Sequence, residues 1–224
     1  MRGDELSEDS DLSVAAVVLA AGRGARIGER PKCLLELNNE PLIRLQIRAL
    51  SAAGISTIVV VLGHYGPRVA AAIDSSKNCP AVTYVMQASK EHSQPESIRL
   101  GLAALPTTVE AVLVCPSDLP LLTVEDYQDV MRAFVHKPDN KGFVGPVVDN
   151  IPGNPVMFDK RVMTDILAGH GQFGCGNWRS QQPASVFHWA TSNRRYITDI
   201  DSEDDRIRLA RDSGVELHWP EEFA

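Results

Sequence analysis

The stretch Val14–Leu35, VAAVVLAAGRGARIGERPKCLL, decides how the rest of the chain reads. Val14 to Leu19 is an apolar run with the length and β-branched content of a buried strand. The loop after it carries Gly22, Gly24 and Gly28. Arg23, Arg26, Arg30 and Lys32 sit among them with Glu29 opposing, so residues 23–32 hold a net +3. Glycines let backbone N–H groups come close to an anion, and Arg and Lys add long-range attraction. The loop is therefore a phosphate cradle or a basic, flexible surface turn. The preceding strand, the three glycines and the Pro31-Lys32 stop favour the cradle.

Spacing removes two common forms of cradle. A dinucleotide fingerprint, G-x-G-x-x-G, fails because Ile27 stands where the third glycine belongs, and no Gly-Lys-Ser/Thr triplet is present for a Walker loop.

The 224 residues are ample for a sizeable core, and 44% hydrophobic with 23% charged residues is ordinary for a globular protein. A net charge of −7 argues against a general nucleic-acid binder. Residues 1–12 are polar and acidic and read as a disordered tail, leaving 13–224 as one domain. No apolar run approaches the roughly 18 residues of a membrane span, and the N-terminus lacks a signal-peptide core. Cys33, Cys79, Cys115 and Cys175 form no C-x-x-C pair and read as reduced, buried thiols. A cytoplasmic protein without membrane or nucleic-acid partners is expected.

Strand and helix patterns alternate as far as Phe134: strands at 14–20, 56–62, 81–85 and 111–114, with helices opened by Pro41, Pro67, Pro95 and Thr123. Such alternation predicts an α/β, single-domain, doubly wound and mostly parallel sheet, with ligands at the carboxyl ends of its strands. Further on, strands are expected at 143–148 and 155–158, a helix at 160–167, irregular chain from Asn177, a possible strand at 185–189 and a last helix after Ser202.

Pro116-Ser117-Asp118-Leu119-Pro120 puts an acid just past a buried strand. Alone, Asp118 could cap a turn. Beside a phosphate loop it is a natural Mg²⁺ ligand, because hard cations take carboxylate oxygens together with substrate phosphates.

The loop Leu19-Ala20-Ala21-Gly22, Gly24, Arg26, Ile27, Gly28 and Pro31-Lys32-Cys33-Leu34-Leu35 resembles the signature of nucleotidyltransferases with a nucleotide-diphospho-sugar transferase type of fold. Asp118-Leu119-Pro120-Leu121-Leu122-Thr123, Gly153-Asn154-Pro155-Val156-Met157-Phe158 and Asp199-Ile200-Asp201-Ser202 resemble segments of the molybdenum cofactor (molybdopterin) cytidylyltransferases and guanylyltransferases. That resemblance implies nucleoside monophosphate transfer from an NTP to a phosphorylated acceptor, possibilities being molybdopterin or another sugar or alcohol phosphate. Arg26, Lys32 and Asp118 would be catalytic; Leu19, Ala20, Ala21, Gly22, Gly24, Arg26, Lys32 and Ser97 would hold the nucleotide. Asp118 and Asp201 would bind Mg²⁺. Ala20-Ala21-Gly22 implies CTP, where the guanylyltransferases carry Ala-Gly-Gly for GTP.

On the acceptor side the resemblance points to Asn154 and Pro155, and Trp178 is either a ring that stacks on a pterin or a core residue. A molybdoenzyme or its chaperone would then be a partner. Departures fall at Asn154, where the family often has His, and at Ser93, where it usually has Gly. Asp204 and Asp205 are expected to cap the last helix rather than bind metal. The rival of another class is a non-catalytic nucleotide- or cofactor-binding chaperone; the presence of Arg26, Lys32, Asp118 and Asp201 favours an enzyme.

Overall fold

The computed structural model describes residues 12–88, 93–170 and 173–223. The acidic tail at 1–11 lies outside the described residues, while Leu12 packs against the core. The main sheet contains β1 (Val14–Ala20), β4 (Thr57–Leu62), β5 (Thr83–Met86), β6 (Ala111–Pro116), β7 (Phe143–Val148), β8 (Ile151–Pro152), β9 (Val156–Asp159) and β10 (Val186–Ala190); β2 (Glu36–Leu37) and β3 (Glu40–Pro41) form a separate two-stranded ribbon. The order is β10-β7-β9-β6-β1-β4-β5, with β8 paired to β7. β9 runs antiparallel to both neighbours, and the other pairs on this path are parallel.

β1 is central because both sides of its pleat are apolar. Ala16 and Val18 face one layer; Ala15 and Val17 face the other. The first layer is made by α1 (Leu42–Ala52), α2 (Gly66–Asp74) and α4 (Val124–Val135), through Ile47, Val69 and Val130 among others. The second is made by α3 (Gln94–Ala103), α5 (Lys160–Ala168) and α6 (Cys175–Gln181), through Ile98, Ile166 and Trp178. Burial of a strand on both faces is what a parallel sheet requires. Gly101 lets α3 sit directly on β1: a Cβ there would lie 2.3 Å from a Val17 methyl.

α7 (Glu203–Ser213) starts in a capping box, with Ser202 and Asp205 satisfying each other's backbone N–H groups. The capping role expected of Asp205 is what the geometry gives; Asp204 is exposed in the first turn. Leu209 of α7 joins Ile27, Leu35, Leu42, Ile200 and Leu217 in a third, smaller core beneath the glycine loop.

One expectation needs correction. The chain expected to be irregular from Asn177 is helical through Gln181, and a 3-10 turn at Pro183–Ser185 then leads into β10. Seven residues with a single buried anchor, Trp178, offer too little periodicity to betray a helix in the sequence.

Candidate active site

The carboxyl ends of β1, β4 and β6 are level: Ala20 pairs with Leu62, and Leu19 with Pro116. β9 enters the sheet beside them, Val156 pairing with Val114, so Asn154 and Pro155 arrive at the same edge. A cleft opens there.

Its first wall is the glycine loop. Gly24 has φ +67° and its carbonyl accepts from Ile27 N and Glu29 N, each at 2.9 Å. A Cβ at Gly24 would fall 1.9 Å from the Arg30 carbonyl oxygen, so the turn admits no side chain. Gly22 is different: among the described residues nothing lies within 4 Å of the position its Cβ would take. That open space is where an anion could approach backbone.

The loop's cations divide. Lys32 Nζ donates to Asp118 Oδ2 at 2.6 Å and to Asp201 Oδ1 at 2.7 Å; Arg26 pairs with the other oxygen of Asp201 at 2.8 Å. Burial pulls the Lys32 ammonium down, but the Asp118 and Asp201 carboxylates outweigh it and hold its pKa above the usual 10.5. Arg30 turns away. It donates to the carbonyls of Ile27 and Phe223, pairs with Glu203 at 2.5 Å and lies over the Trp219 ring at 4.3 Å. Arg30 therefore ties the loop to the C-terminal segment. Arg23 sits outside, 3.7 Å from Glu29.

Asp118 is placed by the strand ends on either side of it. Ser117 Oγ donates to the Leu19 carbonyl at 2.8 Å, and Gln46 Nε2 to the Pro116 carbonyl at 2.8 Å. Asp201 comes from far along the chain, and Ile200 N donates to the Asp118 carbonyl at 3.0 Å, joining the two acidic segments. A third acid, Asp199, lines the same space and was not singled out from the sequence as a site residue. Burial raises its pKa, and the Asp118 and Asp201 charges add to the rise. The Asp-x-Asp spacing at 199 and 201 was the available signal.

Around these groups the cleft has three lobes. One of about 170 Å³ is lined by Leu19, Ala20, Ala21, Gly22, Lys32 and Ser97. A second, of about 570 Å³, is lined by Arg26, Lys32, Asp118, Asn154, Asp199 and Asp201. The third, about 270 Å³, runs between Asn154 and α6. Gln94 borders all three and was missed at the sequence level. Ser97 is buried, its hydroxyl donating to Gln87 Oε1 at 2.8 Å, so it shapes the first lobe with its hydroxyl proton already committed. Ser93 is the N-cap of α3, accepting from Glu96 N.

Trp178 is not in the cleft. Its ring is 2% exposed, stacks on Phe143 at 5.7 Å and donates from Nε1 to Asp165 at 3.0 Å, so the core reading replaces the acceptor contact expected of it. His64, at the end of β4, is exposed and meets Tyr65 edge-on.

The acids fit a divalent cation. Two carboxylates already converge on one cationic centre, with a third nearby, all offering hard oxygen donors. Among the described residues no group of three or more His, Cys, Asp or Glu closes into a metal site by itself. The protein would thus supply two or so carboxylates and leave other positions to phosphate and water, the usual arrangement for Mg²⁺.

Residues 16–186 match the model of the MobA-like NTP transferase domain. The chain belongs to that family. A 2-C-methyl-D-erythritol 4-phosphate cytidylyltransferase of Streptomyces avermitilis is 34% identical over 135 residues, which cover 59% of this chain and 54% of that relative. A bifunctional protein GlmU of Sorangium cellulosum is 36% identical over 123 residues, 54% of this chain and 26% of the relative. The matched stretches thus span about half, or a quarter, of these relatives' length. Among solved structures, the same fold is seen in Rv0371c from Mycobacterium tuberculosis H37Rv (TM-score 0.73, 22% identity, covering 89% of this chain and 98% of that one). The Streptomyces relative is named for an acceptor other than the molybdopterin of the short-motif resemblance, and the family match supports the NTP transferase class as a whole.

Proposed function

We propose that the cleft transfers a nucleoside monophosphate, CMP from CTP, to the phosphate of a small phosphorylated acceptor and releases pyrophosphate. The observation that most supports this is Lys32, held at once by Asp118 and Asp201 at the foot of the glycine loop. It puts a fixed positive charge between a cradle for phosphates and two acids suited to a divalent cation.

No covalent intermediate on a side chain is needed for such a transfer; alignment and neutralisation of charge carry it. The open space at Gly22 would admit the triphosphate to the loop backbone. Lys32 acts as a point charge on the transferring phosphoryl group and Arg26 as a planar fork at the cleft mouth. Asp118 and Asp201 would hold Mg²⁺, whose chemistry is to neutralise phosphate charge and favour ionisation of the attacking oxygen. Ala20, Ala21 and Ser97 bound the lobe proposed for the base; its volume and the Ala21 methyl favour a pyrimidine.

The motif resemblance favours molybdopterin as acceptor, and with it a molybdoenzyme or chaperone as partner. An alcohol phosphate of the kind named in the Streptomyces relative is the second reading, favoured by the hydrophilic Asn154 and Asp199 in the largest lobe. The test is pyrophosphate release with CTP, GTP, UTP and ATP against molybdopterin and a set of polyol phosphates. CTP with one acceptor should dominate. Tighter binding of GTP than CTP would overturn the nucleotide assignment. Nucleotide binding without turnover on any acceptor would favour a non-catalytic binding module.

A further inference from the structure

The lobe between Asn154 and α6 has no part in the chemistry above. Its floor is apolar: Leu19, Ile98, Val114, Phe143 and Val156 come from α3 and four strands of the sheet. Its rim carries Asn154, Asn177 and Arg179. Arg179 is half-buried, yet among the described residues it forms no ion pair, whereas Arg26, Arg30 and Lys32 all have carboxylate partners. An unpaired guanidinium beside apolar surface is an uncompensated charge that a ligand anion would satisfy, with bidentate geometry available.

α6 is held in place from beneath. Trp178 is wedged on Phe143 and tethered to Asp165, which fixes the backbone that carries Arg179. Gly174 abuts Pro95, where a Cβ would come within 3.1 Å of the Pro95 Cα, and Arg99 donates to the Phe173 carbonyl at 2.8 Å. Both contacts pin the approach to α6 against α3. Burial pushes the Cys175 thiol up to about 12, so it contributes neutral wall and no nucleophile. The lobe meets the acidic one at Gln94, Pro116, Pro152 and Asn154, which line both.

We infer that this lobe receives the body of the acceptor, and that Arg179 selects acceptors with an apolar, ring-sized body and a second anionic group at the end remote from the reacting phosphate. This rests on the cleft being a nucleotidyltransferase site. The acceptor would lie with its phosphate among Asp118, Asp201 and Lys32, its body on the Phe143–Val156 floor and its far anion on Arg179. A volume of about 270 Å³ is near the lower end of small-molecule pockets and holds one or two fused rings.

Calorimetric titration of three probes tests this without turnover: glycerol 3-phosphate, benzyl phosphate and 4-carboxybenzyl phosphate, each with Mg²⁺ present. Affinity should rise in that order. Arg179→Ala should weaken 4-carboxybenzyl phosphate about tenfold or more, the size of one charge-assisted hydrogen bond, and leave benzyl phosphate nearly unchanged. Arg179→Lys should recover part of the loss. Equal weakening of both aromatic probes, or failure of the wild type to prefer either over glycerol 3-phosphate, would overturn the assignment. CTP titration in parallel separates the outcomes: a protein that binds these probes but no nucleotide would defeat the transferase reading and leave the anion subsite standing.

Discussion

The two walls of the cleft are built in opposite ways. The wall proposed for the nucleotide is one contiguous segment, Val14–Leu35, whose shape is set by backbone: a central strand, a turn closed on the Gly24 carbonyl, and a stop at Pro31. The other wall is gathered from Asn154, Arg194–Asp201 and α6, and side chains hold it. Asp126 in α4 is its hub. Only 1% exposed, it accepts from Thr123 N, from Asn193 Nδ2 at 2.6 Å and from Arg195 Nε and Nη2 at 2.8 and 2.7 Å. The Tyr196 hydroxyl donates to the Asp126 carbonyl, and the Tyr196 carbonyl accepts from Asn154 N. Backbone-defined shape depends on glycines in one place; side-chain-defined shape depends on pairs of residues about 70 positions apart.

Lys32 is the point where the walls meet, and removing it should break both. Lys32→Ala is expected to lower turnover by about 10²–10³, the range for one preorganised electrostatic donor, in a pyrophosphate-release assay. A variant with wild-type turnover would remove Lys32 from the chemistry.

Asp126→Asn separates the walls. It should cost about 2 kcal/mol in denaturant unfolding, toward the low side for a broken buried pair because the Arg195 side chain is 43% exposed and screened by water. Its kinetic signature should be a raised acceptor KM with CTP affinity retained. The sign with pH is fixed: burial raises the Asp126 pKa, but Arg195, the Thr123 N–H and Asn193 outweigh burial and hold it below 3.8. Its stabilising contribution is therefore complete above the unfolded value of about 3.9 and fades as pH falls through the lower folded value. Thermal unfolding of wild type and Asp126→Asn should differ at pH 7 and converge in strong acid.

Gly101→Ala probes the layer under both walls. The added methyl would overlap Val17 and Val61, and a cost of about 1–3 kcal/mol is expected from overpacking, read as a lower Tm. Gly22→Ala should give the smallest structural effect. Its Cβ meets nothing among the described residues, so stability should change by no more than about 0.5 kcal/mol, while the KM for CTP rises as the methyl takes the space a phosphate would use. Equal stability losses for Gly22→Ala and Gly24→Ala would contradict the distinction between a cradle position and a turn position.

The same contrast explains what could be read in advance. β1, its loop, the alternation through α4 and the acids at 118 and 201 were legible because each carries its signal within a few residues. Arg30 read as a phosphate-loop cation, since nothing local says that Glu203 and the Phe223 carbonyl claim it. Trp178 could be read as cleft or core, and only the stacking on Phe143 decides. Asp126 sits in the first turn of α4, where an acid is ordinary, and its partners at 193 and 195 are set by folding. The antiparallel insertion of β9, which brings Asn154 to the cleft, left no trace in residue pattern, because a four-residue apolar strand reads alike in either direction.

The bridge from Lys32 to Asp118 and Asp201 also balances charge at the strand ends. Three acids crowded at one sheet edge would repel one another, and the Lys32 ammonium offsets that repulsion. On the proposed transferase reading, loading of a triphosphate and a divalent cation would be an exchange of partners rather than an addition to an open charge. The triphosphate should recruit Lys32 away from the carboxylates and free them for the cation. Nucleotide and metal would accordingly bind as mutually reinforcing ligands, each appearing weaker when titrated alone.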